Sequence, residues 1–293
     1  MKRRLYQLDV FTDTLFAGNP LAVVTDGDGL SPQRMLDIAR EMNLSETVFV
    51  QKPTTAQALA RLRIFTTQNE LRLAGHPVIG TWFLLAQLGV VPAQEGAVHV
   101  WQQTGAGVLP VEISFRDGRP ARVTMLQKPA QFKSPPISKP ALARALGLSA
   151  GDFSRELPVE SVSTGIFNLM VPLINRRALA RISSDPRALL TAMKGADSVA
   201  YCFAFGSRGQ VFSRGMLPWS LYEDPATGSA AGSLAAYLVR HGRLRADERL
   251  TIAQGLEMER PSRIEAVVEA TRGKLVPRVS GEAVVVMEGN LEA

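Results

Sequence analysis

The sequence predicts an α+β protein made of two similar halves, each a curled, mostly antiparallel sheet around one buried helix. Three observations lead to this fold class: many short β-rich segments, two helical segments that are apolar on every side, and a repeated motif. The repeat aligns His76-Pro77-x-x-Gly80-Thr81 with Asp224-Pro225-x-x-Gly228-Ser229 at an offset of 148 residues. Helices do not alternate regularly with the strands, so a doubly wound parallel sheet is not expected.

Short runs rich in β-branched and aromatic residues predict the strands of both halves. In the first half they are Leu5–Phe11, Ala22–Thr25, Thr47–Gln51, Leu59–Thr66, Val98–Gln102 and Val111–Phe115, with a hairpin signal at Asp117-Gly118. In the second half they are Leu169–Ile174, Val199–Phe205, Val211–Met216, Leu250–Ala253, Arg263–Glu269 and Ala283–Glu288.

Two kinds of helix are predicted. Ser31-Pro32 is an N-cap followed by proline at the first helical position, and the apolar residues after it recur at helical spacing, as in a helix that covers a sheet. A short helix is expected at Ala141–Leu148 and a covering helix at Ala188–Met193. The segments Pro77–Leu88 and Pro225–Arg240 have almost no polar side, which predicts helices enclosed by the rest of the protein. Gly89 and Gly242 end them.

The segment Pro129–Pro140 is rich in proline, lysine and serine, which is typical of a linker. We therefore expect a first half over residues 1–128, with the C-terminal strand 280–293 added to it, and a second half over residues 129–279.

Composition excludes several classes of protein. Apolar residues make up 46% and charged residues 20% of the chain, as in an ordinary soluble enzyme. The net charge of +6 comes from scattered residues, with Lys2-Arg3-Arg4 as the one basic run, so no nucleic-acid partner is expected. That run precedes no long apolar segment, and the longest apolar helix is too short for a bilayer, so neither a signal peptide nor a membrane partner is expected. Together with the single Cys202, this predicts a cytoplasmic protein.

The starts of the two apolar helices are candidate sites for an anion. A helix N-terminus offers unpaired N–H groups and about half a positive charge, and glycine lets a ligand approach the backbone. Gly75, Gly228 and Ser229 lie there, and Thr81 is the hydroxyl in register with Ser229. His76 and Asp224 are at positions where helix caps occur, yet the repeated arrangement favours a functional role for both. We expect the two helix starts to meet in a cleft that binds a carboxylate.

Glu46 is a candidate proton-transfer group. It lies between the first helix and a strand, in Met42-Asn43-Leu44-Ser45-Glu46-Thr47-Val48. If its apolar neighbours desolvate it, its pKa rises and the carboxyl can exchange protons near neutral pH. A solvated loop acid is the alternative.

Five motifs in order along the chain make it resemble the phenazine-biosynthesis PhzF-like family. They are Gly18-Asn19-Pro20, Met42 to Thr47, Ile64-Phe65-Thr66, Ala74-Gly75-His76-Pro77 and Glu223 to Gly232; Gln254 to Ser262 also resembles the family's C-terminal segment. The resemblance implies the diaminopimelate epimerase-like fold, with two barrel-like domains around central helices. It also implies isomerisation of a substrate such as trans-2,3-dihydro-3-hydroxyanthranilate without a cofactor.

The same resemblance implies roles for individual residues. Glu46 is the acid and base that removes a proton and returns it to another carbon. His76 and Asp224 bind polar groups of the substrate and assist proton movement. Ser45, Gly75, Gly228 and Ser229 bind the substrate, and the helix starts at Gly75 and at Gly228-Ser229 hold its carboxylate. Two segments depart from the family pattern: Arg214 to Tyr222 and Thr164 to Asn168. They contain Phe167, Trp219 and Tyr222, which are candidates to line the pocket, so the resemblance does not identify the particular substrate.

Other motifs do not support other chemistry. The chain has neither a dinucleotide-binding fingerprint nor a Walker loop, so no nucleotide cofactor is expected, and its three histidines form no metal-ligand pattern. One cysteine excludes a two-thiol racemase. An amino-acid epimerase or racemase, or a binding protein that keeps the fold, remain as alternatives to the isomerase. The expected partners are a small carboxylate substrate and a second copy in a homodimer.

Overall fold

The structure is a computed structural model that describes residues 2–193, 198–220 and 223–293. Strands dominate it, in a mixed α+β arrangement. The chain divides into two compact units: unit 1 is Met1–Met125 with Ser280–Ala293, and unit 2 is Leu126–Val279. Among the described residues, no helix has the length and apolar character needed to cross a membrane.

Unit 1 combines strands from both ends of the chain with two helices. Its strands are β1 (Lys2–Val10), β2 (Asn19–Val24), β3 (Thr47–Gln51), β4 (Ala60–Phe65), β5 (Glu70–Leu71), β6 (Gly96–Thr104), β7 (Gly107–Arg116) and β8 (Arg119–Leu126), with β18 (Ala283–Glu292) paired along β1. Its helices are α1 (Pro32–Met42) and α2 (Gly75–Gln87).

Unit 2 is built from the continuous middle of the chain. Its strands are β9 (Gln131–Lys133), β10 (Glu160–Ser163), β11 (Phe167–Pro172), β12 (Ala200–Phe205), β13 (Val211–Met216), β14 (Glu223–Asp224), β15 (Leu250–Gln254), β16 (Ser262–Thr271) and most of β17 (Lys274–Gly281). Its helices are α3 (Lys139–Ala145), α4 (Arg176–Ala180), α5 (Pro186–Met193) and α6 (Gly228–Arg240).

The two units repeat one pairing pattern. In unit 1, β1-β2-β3-β4-β6-β7 pair as antiparallel, parallel, antiparallel, parallel and antiparallel neighbours. In unit 2, β10-β11-β12-β13-β15-β16 pair in the same succession. The parallel pairs contain helical connections, because α1 joins β2 to β3, and α4 and α5 lie between β11 and β12.

A short hairpin precedes the central helix of each unit. Arg63 donates two hydrogen bonds to Glu70 across β4 and β5, and Arg214 is bonded in the same bidentate manner to Glu223 across β13 and β14. These pairs place the start of α2 and the start of α6 at equivalent points of the two units. The repeat at an offset of 148 residues is therefore in the wrong register: it aligns Gly75 with Glu223, whereas the equivalent helix start is Gly228.

The central helices are enclosed, as their apolar sequences predict. Every residue of α2 from His76 to Ala86 is buried, and the Trp82 indole donates to the buried Gln102 amide at 2.9 Å. Ten of the thirteen residues of α6 are buried. Gly80 of α2 has no room for a side chain, because a Cβ atom would lie 2.6 Å from Val10 and 2.7 Å from Leu21. Close packing against β1 and β2 therefore requires glycine there.

Element boundaries differ from the expected ones mainly at the helix starts. The α2 helix begins at Gly75 instead of Pro77, and α6 begins at Gly228 instead of Pro225. Pro225 is thus outside the helix, not in its first turn. The expected linker Pro129–Pro140 contains β9 and the first residues of α3, so part of it is regular structure.

Candidate active site

Glu46 lies at the point where α1 has ended and β3 is about to begin. Asn43 ends α1 in a left-handed conformation with φ of 50°, and the following residues lead to Thr47, the buried first residue of β3. This short connection places the Glu46 carboxyl against α2. The Glu46 side chain is only 16% exposed, so it is not the solvated loop acid of the alternative interpretation.

His76 is the nearest titratable neighbour of Glu46. Its Nε2 atom lies 3.4 Å from Glu46 Oε2, and its side chain is 8% exposed. Burial lowers the pKa of the His76 imidazole to about 3. The ring is therefore neutral at pH 7 and places no positive charge beside the Glu46 carboxyl.

Asn19 fixes the orientation of the His76 ring. Its Nδ2 atom lies 3.4 Å from His76 Nδ1. An amide nitrogen only donates, so Nδ1 accepts and the ring proton is on Nε2, the atom that faces Glu46. The structure thus places the Nε2–H group of a neutral imidazole 3.4 Å from Glu46 Oε2.

Gly18 is the reason that Asn19 can occupy this position. Its φ is +64°, and a Cβ atom there would overlap the Val10 carbonyl oxygen. No other residue fits, because the backbone is left-handed and in contact with β1. Asn19 then begins β2 opposite Val10 and is fully buried. The Gly18-Asn19-Pro20 motif predicted family membership, but its second residue was missed as part of the site.

The start of α2 differs from the expected cap. Ala74 is the N-cap residue, and its methyl group cannot accept a hydrogen bond. His76 is the second residue of the helix, so the interpretation of His76 as a cap is wrong. Thr81 is seven residues into the helix and fully buried, so it is not a hydroxyl at the helix start. The backbone N–H groups near Gly75 are the groups there that could hold a carboxylate.

Asp224 lies on the last position of β14 in unit 2, opposite Gly215 of β13. It is half-buried, and Thr227 Oγ1 donates to its Oδ2 at 2.8 Å. Thr227, not Asp224, is the N-cap residue of α6. The expectation that Asp224 occupies a cap position is therefore also wrong. Its carboxylate accepts from the Thr227 hydroxyl, which is not bonded to the first turn of the helix.

Gly228 and Ser229 are the first two residues of α6. The Gly228 carbonyl accepts from Gln127 Nε2 at 3.0 Å, and the Ser229 carbonyl accepts from Ser233 Oγ at 3.1 Å. Ser229 is at the same helical position as His76 in α2. The structure thus brings Asp224, Gly228 and Ser229 together in unit 2, and Glu46, His76 and Gly75 together in unit 1.

The remaining candidate residues have varied surroundings. Ser45 is exposed beside Glu46. Trp219 is 61% exposed in a turn, and the ring of Phe167 is covered by Lys133 Nζ at 3.8 Å. Arg214 is buried and donates to the carbonyls of Leu179 and Ile182 as well as to Glu223, so it has a structural role. Tyr222 lies outside the described residues.

Other reactive side chains are occupied elsewhere. Cys202 is fully buried in β12, and burial raises the pKa of its thiol, so it cannot serve as a thiolate base. His99 lies in β6, 3.8 Å from Glu112, and His241 follows α6, 3.0 Å from Glu160. In the described part of the chain, no three His, Cys, Asp or Glu side chains are grouped as metal ligands.

The fold is that of PhzF-family proteins and related epimerases of known structure. The fold matches a PhzF-family phenazine biosynthesis protein from Bacillus anthracis with a TM-score of 0.91 and 28% identity, covering 100% of both chains. It also matches a predicted epimerase from Pseudomonas aeruginosa with a TM-score of 0.82 and 32% identity over 99% of each chain. A probable proline racemase from Agrobacterium radiobacter, at 14% identity and a TM-score of 0.73, shares the fold alone.

Sequence comparison then gives the family. The family model described as phenazine biosynthesis-like protein matches residues 8–289. Trans-2,3-dihydro-3-hydroxyanthranilate isomerase of Pseudomonas aeruginosa is 36% identical over 98% of both chains, and an uncharacterised isomerase of Mesorhizobium japonicum is 38% identical over 99% of both. The chain belongs to the phenazine biosynthesis-like family and is an isomerase.

Proposed function

We propose that this isomerase moves a proton between two carbon atoms of a small cyclic or amino carboxylic acid without a cofactor. The observation that carries the proposal is the pairing of Glu46 with a buried, neutral His76 at 3.4 Å. A carboxylate beside a neutral N–H donor can take a proton from carbon, hold it, and return it to a second carbon. The proton lost from one carbon is gained by the other while the double bond shifts between them, so the reaction is redox-neutral and needs no oxidant or reductant.

His76 assists this transfer through its fixed tautomer. With Nδ1 accepting from Asn19, the Nε2–H group can stabilise charge on Glu46 or on the substrate while the proton is in transit. Because the imidazole stays neutral down to low pH, it acts as a hydrogen-bond donor and not as a competing acid.

The other candidate residues bind the substrate in this proposal. The start of α2 at Gly75 and the start of α6 at Gly228 and Ser229 each offer backbone N–H groups and a positive helix end to a carboxylate. Asp224 accepts a hydrogen bond from an amino or hydroxyl group of the substrate, and Ser45 adds a hydroxyl beside Glu46. The functional form is a cytoplasmic homodimer of barrel-like domains, as the family resemblance implies.

The names of the relatives supply the first substrate to test. Relatives from three Pseudomonas species are trans-2,3-dihydro-3-hydroxyanthranilate isomerases at 36% identity. That compound is a cyclic amino acid with a carboxylate, an amine and a hydroxyl, which are the groups that the proposed site would recognise. A different substrate of the same chemical class would leave the proton-transfer mechanism unchanged.

The experiment is isomerisation in heavy water. Purified protein is incubated with trans-2,3-dihydro-3-hydroxyanthranilate in D₂O, and the product is analysed by NMR and mass spectrometry. We expect a rearranged double-bond system, with deuterium at the new C–H position to the extent that Glu46 exchanges with solvent. The absence of any conversion over a panel of cyclic and amino carboxylic acids would contradict the proposal.

Epimerisation is the second candidate, because a predicted epimerase shares 32% identity and a TM-score of 0.82 with this chain. An epimerase would return the proton to the same carbon from the other face. The same experiment separates the two reactions: deuterium at an unchanged carbon with inverted configuration indicates epimerisation, and a shifted double bond indicates isomerisation.

A further inference from the structure

A fully buried glutamine connects Asp224 to the interior of unit 2. Gln254 is the last residue of β15, and its side chain contacts β14, the start of α6 and β12. Its Oε1 accepts from Tyr201 Oη at 2.8 Å and from the Thr227 backbone N–H at 3.1 Å. Its Nε2 donates to the Asp224 carbonyl at 2.6 Å and to Thr227 Oγ1 at 2.9 Å.

These four hydrogen bonds use both lone pairs and both protons of the amide. They also fix which end is which, since the Thr227 backbone N–H can only donate and the Asp224 carbonyl can only accept. A flipped amide would place its NH₂ group against the Thr227 backbone N–H and its oxygen against the Asp224 carbonyl. The orientation of Gln254 therefore follows from its surroundings.

The orientation of Gln254 sets the direction of the Thr227 hydroxyl. Because Thr227 Oγ1 accepts from Gln254 Nε2, its own proton is available for Asp224 Oδ2, 2.8 Å away. On the other side, Tyr201 donates to Gln254 and accepts from Ser213 Oγ at 2.9 Å. The result is a chain of hydrogen bonds with one fixed direction at every member.

Two glycines leave space for this chain. A Cβ atom on Gly215 would lie 2.7 Å from Thr227 Oγ1 and 3.0 Å from Gln254 Nε2. Gly255 has a φ of +77°, and a Cβ atom there would overlap the Arg260 carbonyl. The tight turn after Gln254 therefore requires glycine, and it keeps the Gln254 backbone in place.

We propose that Gln254 is a positioning residue that acts through Thr227 to hold one carboxylate oxygen of Asp224 as a hydrogen-bond acceptor. This inference rests on the proposed function in one respect, the role of Asp224 in binding the substrate. Gln254 does not touch the substrate in this proposal. It stabilises the ionised form of Asp224 and fixes the direction of its carboxyl group, since hydrogen bonds to a carboxylate favour the charged form.

Gln254→Glu tests the direction of the chain with almost no change of shape. It replaces the donating Nε2 by an accepting oxygen, so the Thr227 hydroxyl turns toward residue 254 and Asp224 Oδ2 loses the hydrogen bond from Thr227. We expect the pKa of the Asp224 carboxyl to rise by about one pH unit. The measurement is a ¹³C NMR titration of protein labelled at the aspartate carboxyl carbons, with the Asp224 signal assigned from Asp224→Asn.

Matched variants separate this effect from general damage. Thr227→Val removes the donor and should raise the pKa of Asp224 as Gln254→Glu does, whereas Thr227→Ser keeps the hydroxyl and should restore the wild-type value. Tyr201→Phe removes a bond on the far side of Gln254 and should leave the Asp224 titration unchanged, since Thr227 still orients the amide. An Asp224 titration that is the same in wild type, Gln254→Glu and Thr227→Val would overturn the proposal.

Activity gives an independent readout. With trans-2,3-dihydro-3-hydroxyanthranilate, Gln254→Glu should lower kcat/KM about tenfold. The acidic limb of the pH profile of kcat/KM should move to higher pH by the same amount as the pKa of Asp224 moves in the NMR titration. A lower melting temperature with an unmoved acidic limb would overturn the positioning role. If wild-type protein does not convert the substrate, the proposed function fails, while the NMR titration still decides whether Gln254 controls Asp224.

Discussion

The start of α2 in unit 1 and the start of α6 in unit 2 share a framework but carry their functional groups differently. Each helix follows a two-residue strand held by an Arg–Glu pair, Arg63 with Glu70 or Arg214 with Glu223. In unit 1 the polar group is on the helix itself, at His76. In unit 2 it is Asp224, on the strand before the helix, where unit 1 has Leu71.

The difference shows how one scaffold supports two kinds of chemistry. His76 is desolvated and neutral, and it lies 3.4 Å from the Glu46 carboxyl, the proposed proton carrier. Asp224 instead accepts from a hydroxyl whose direction is set by a buried amide. A proton carrier requires surroundings that tolerate both of its forms, whereas a binding carboxylate is improved by surroundings that favour one form.

The largest expected effect comes from removing Glu46, the proposed proton carrier. Glu46→Gln keeps the shape of the side chain and eliminates the exchangeable acid, so turnover should fall about 10²- to 10⁴-fold with little change in substrate binding. Steady-state kinetics and isothermal calorimetry with the substrate measure both quantities. Glu41→Gln, at an exposed position of α1, is the matched control. A residual rate above about a tenth of wild type would assign the transfer to another group.

The second prediction tests whether unit 2 binds and does not exchange protons. Asp224→Asn removes the charge but keeps an oxygen that can accept from Thr227, so kcat/KM should fall about 10- to 100-fold through weaker binding. Asp247→Asn is the control, since this exposed position has a φ of 65° that asparagine adopts readily. Loss of thermal stability with unchanged kinetics would show that Asp224 is purely structural.

The third prediction compares the packing of the two central helices. Gly80→Ala forces a methyl group against the buried Val10 and Leu21, which should destabilise the protein by about 1–3 kcal/mol. Gly232→Ala meets the end of the Gln127 side chain, which can move, so the gain in helix propensity of about 1 kcal/mol should offset most of its cost. Urea unfolding of the two variants measures the difference. Equal destabilisation would mean that Gln127 is as rigid as the β1–β2 surface.

The fourth prediction concerns the pH dependence of stability. His76 is neutral in the folded state, with a pKa of about 3, and titrates near 6.5 when unfolded. Between these values the unfolded chain binds more protons, so stability is complete above about pH 6.5 and falls by up to about 1.4 kcal/mol per pH unit below it.

Urea unfolding at pH 7 and pH 5.5 measures this slope. His76→Gln should reduce it, and His99→Gln, at a strand position whose side chain is 65% exposed, should leave it unchanged. An unaltered slope in His76→Gln would mean that the imidazole is not the group that protonates on unfolding.

Much of the fold was accessible from sequence because periodicity and apolar content report burial directly. The cap and proline at Ser31-Pro32 gave the start of α1, and the apolar runs gave the enclosed helices. The helix starts were placed wrongly because proline was taken as a first-turn residue, while tertiary hydrogen bonds set the boundaries. The pairing partners that make some strands parallel are long-range contacts that local patterns do not encode.

The candidate site was accessible only in part. Glu46 stood out as a carboxyl group among apolar residues and His76 through the repeated helix-start motif, and the structure places them 3.4 Å apart. Asn19 and Gln254 were missed because a buried amide has no distinctive sequence pattern. Each nonetheless adjoins a glycine, Gly18 or Gly255, whose backbone is left-handed and has no room for a side chain. Amides next to such glycines are useful candidates in other chains of this family.

The pairing of β18 with β1 has a consequence for synthesis of the chain on the ribosome. Residues 283–292 form β18, which pairs with the edge of β1, the first strand to be synthesised. Lys2 lies opposite Glu292 in this pairing. All of Leu126–Val279 is translated in between, which takes about ten seconds or more at ordinary elongation rates. Unit 2 can therefore fold while the β1 edge of unit 1 is still open. A nascent-chain chaperone would have its longest opportunity to bind at that edge.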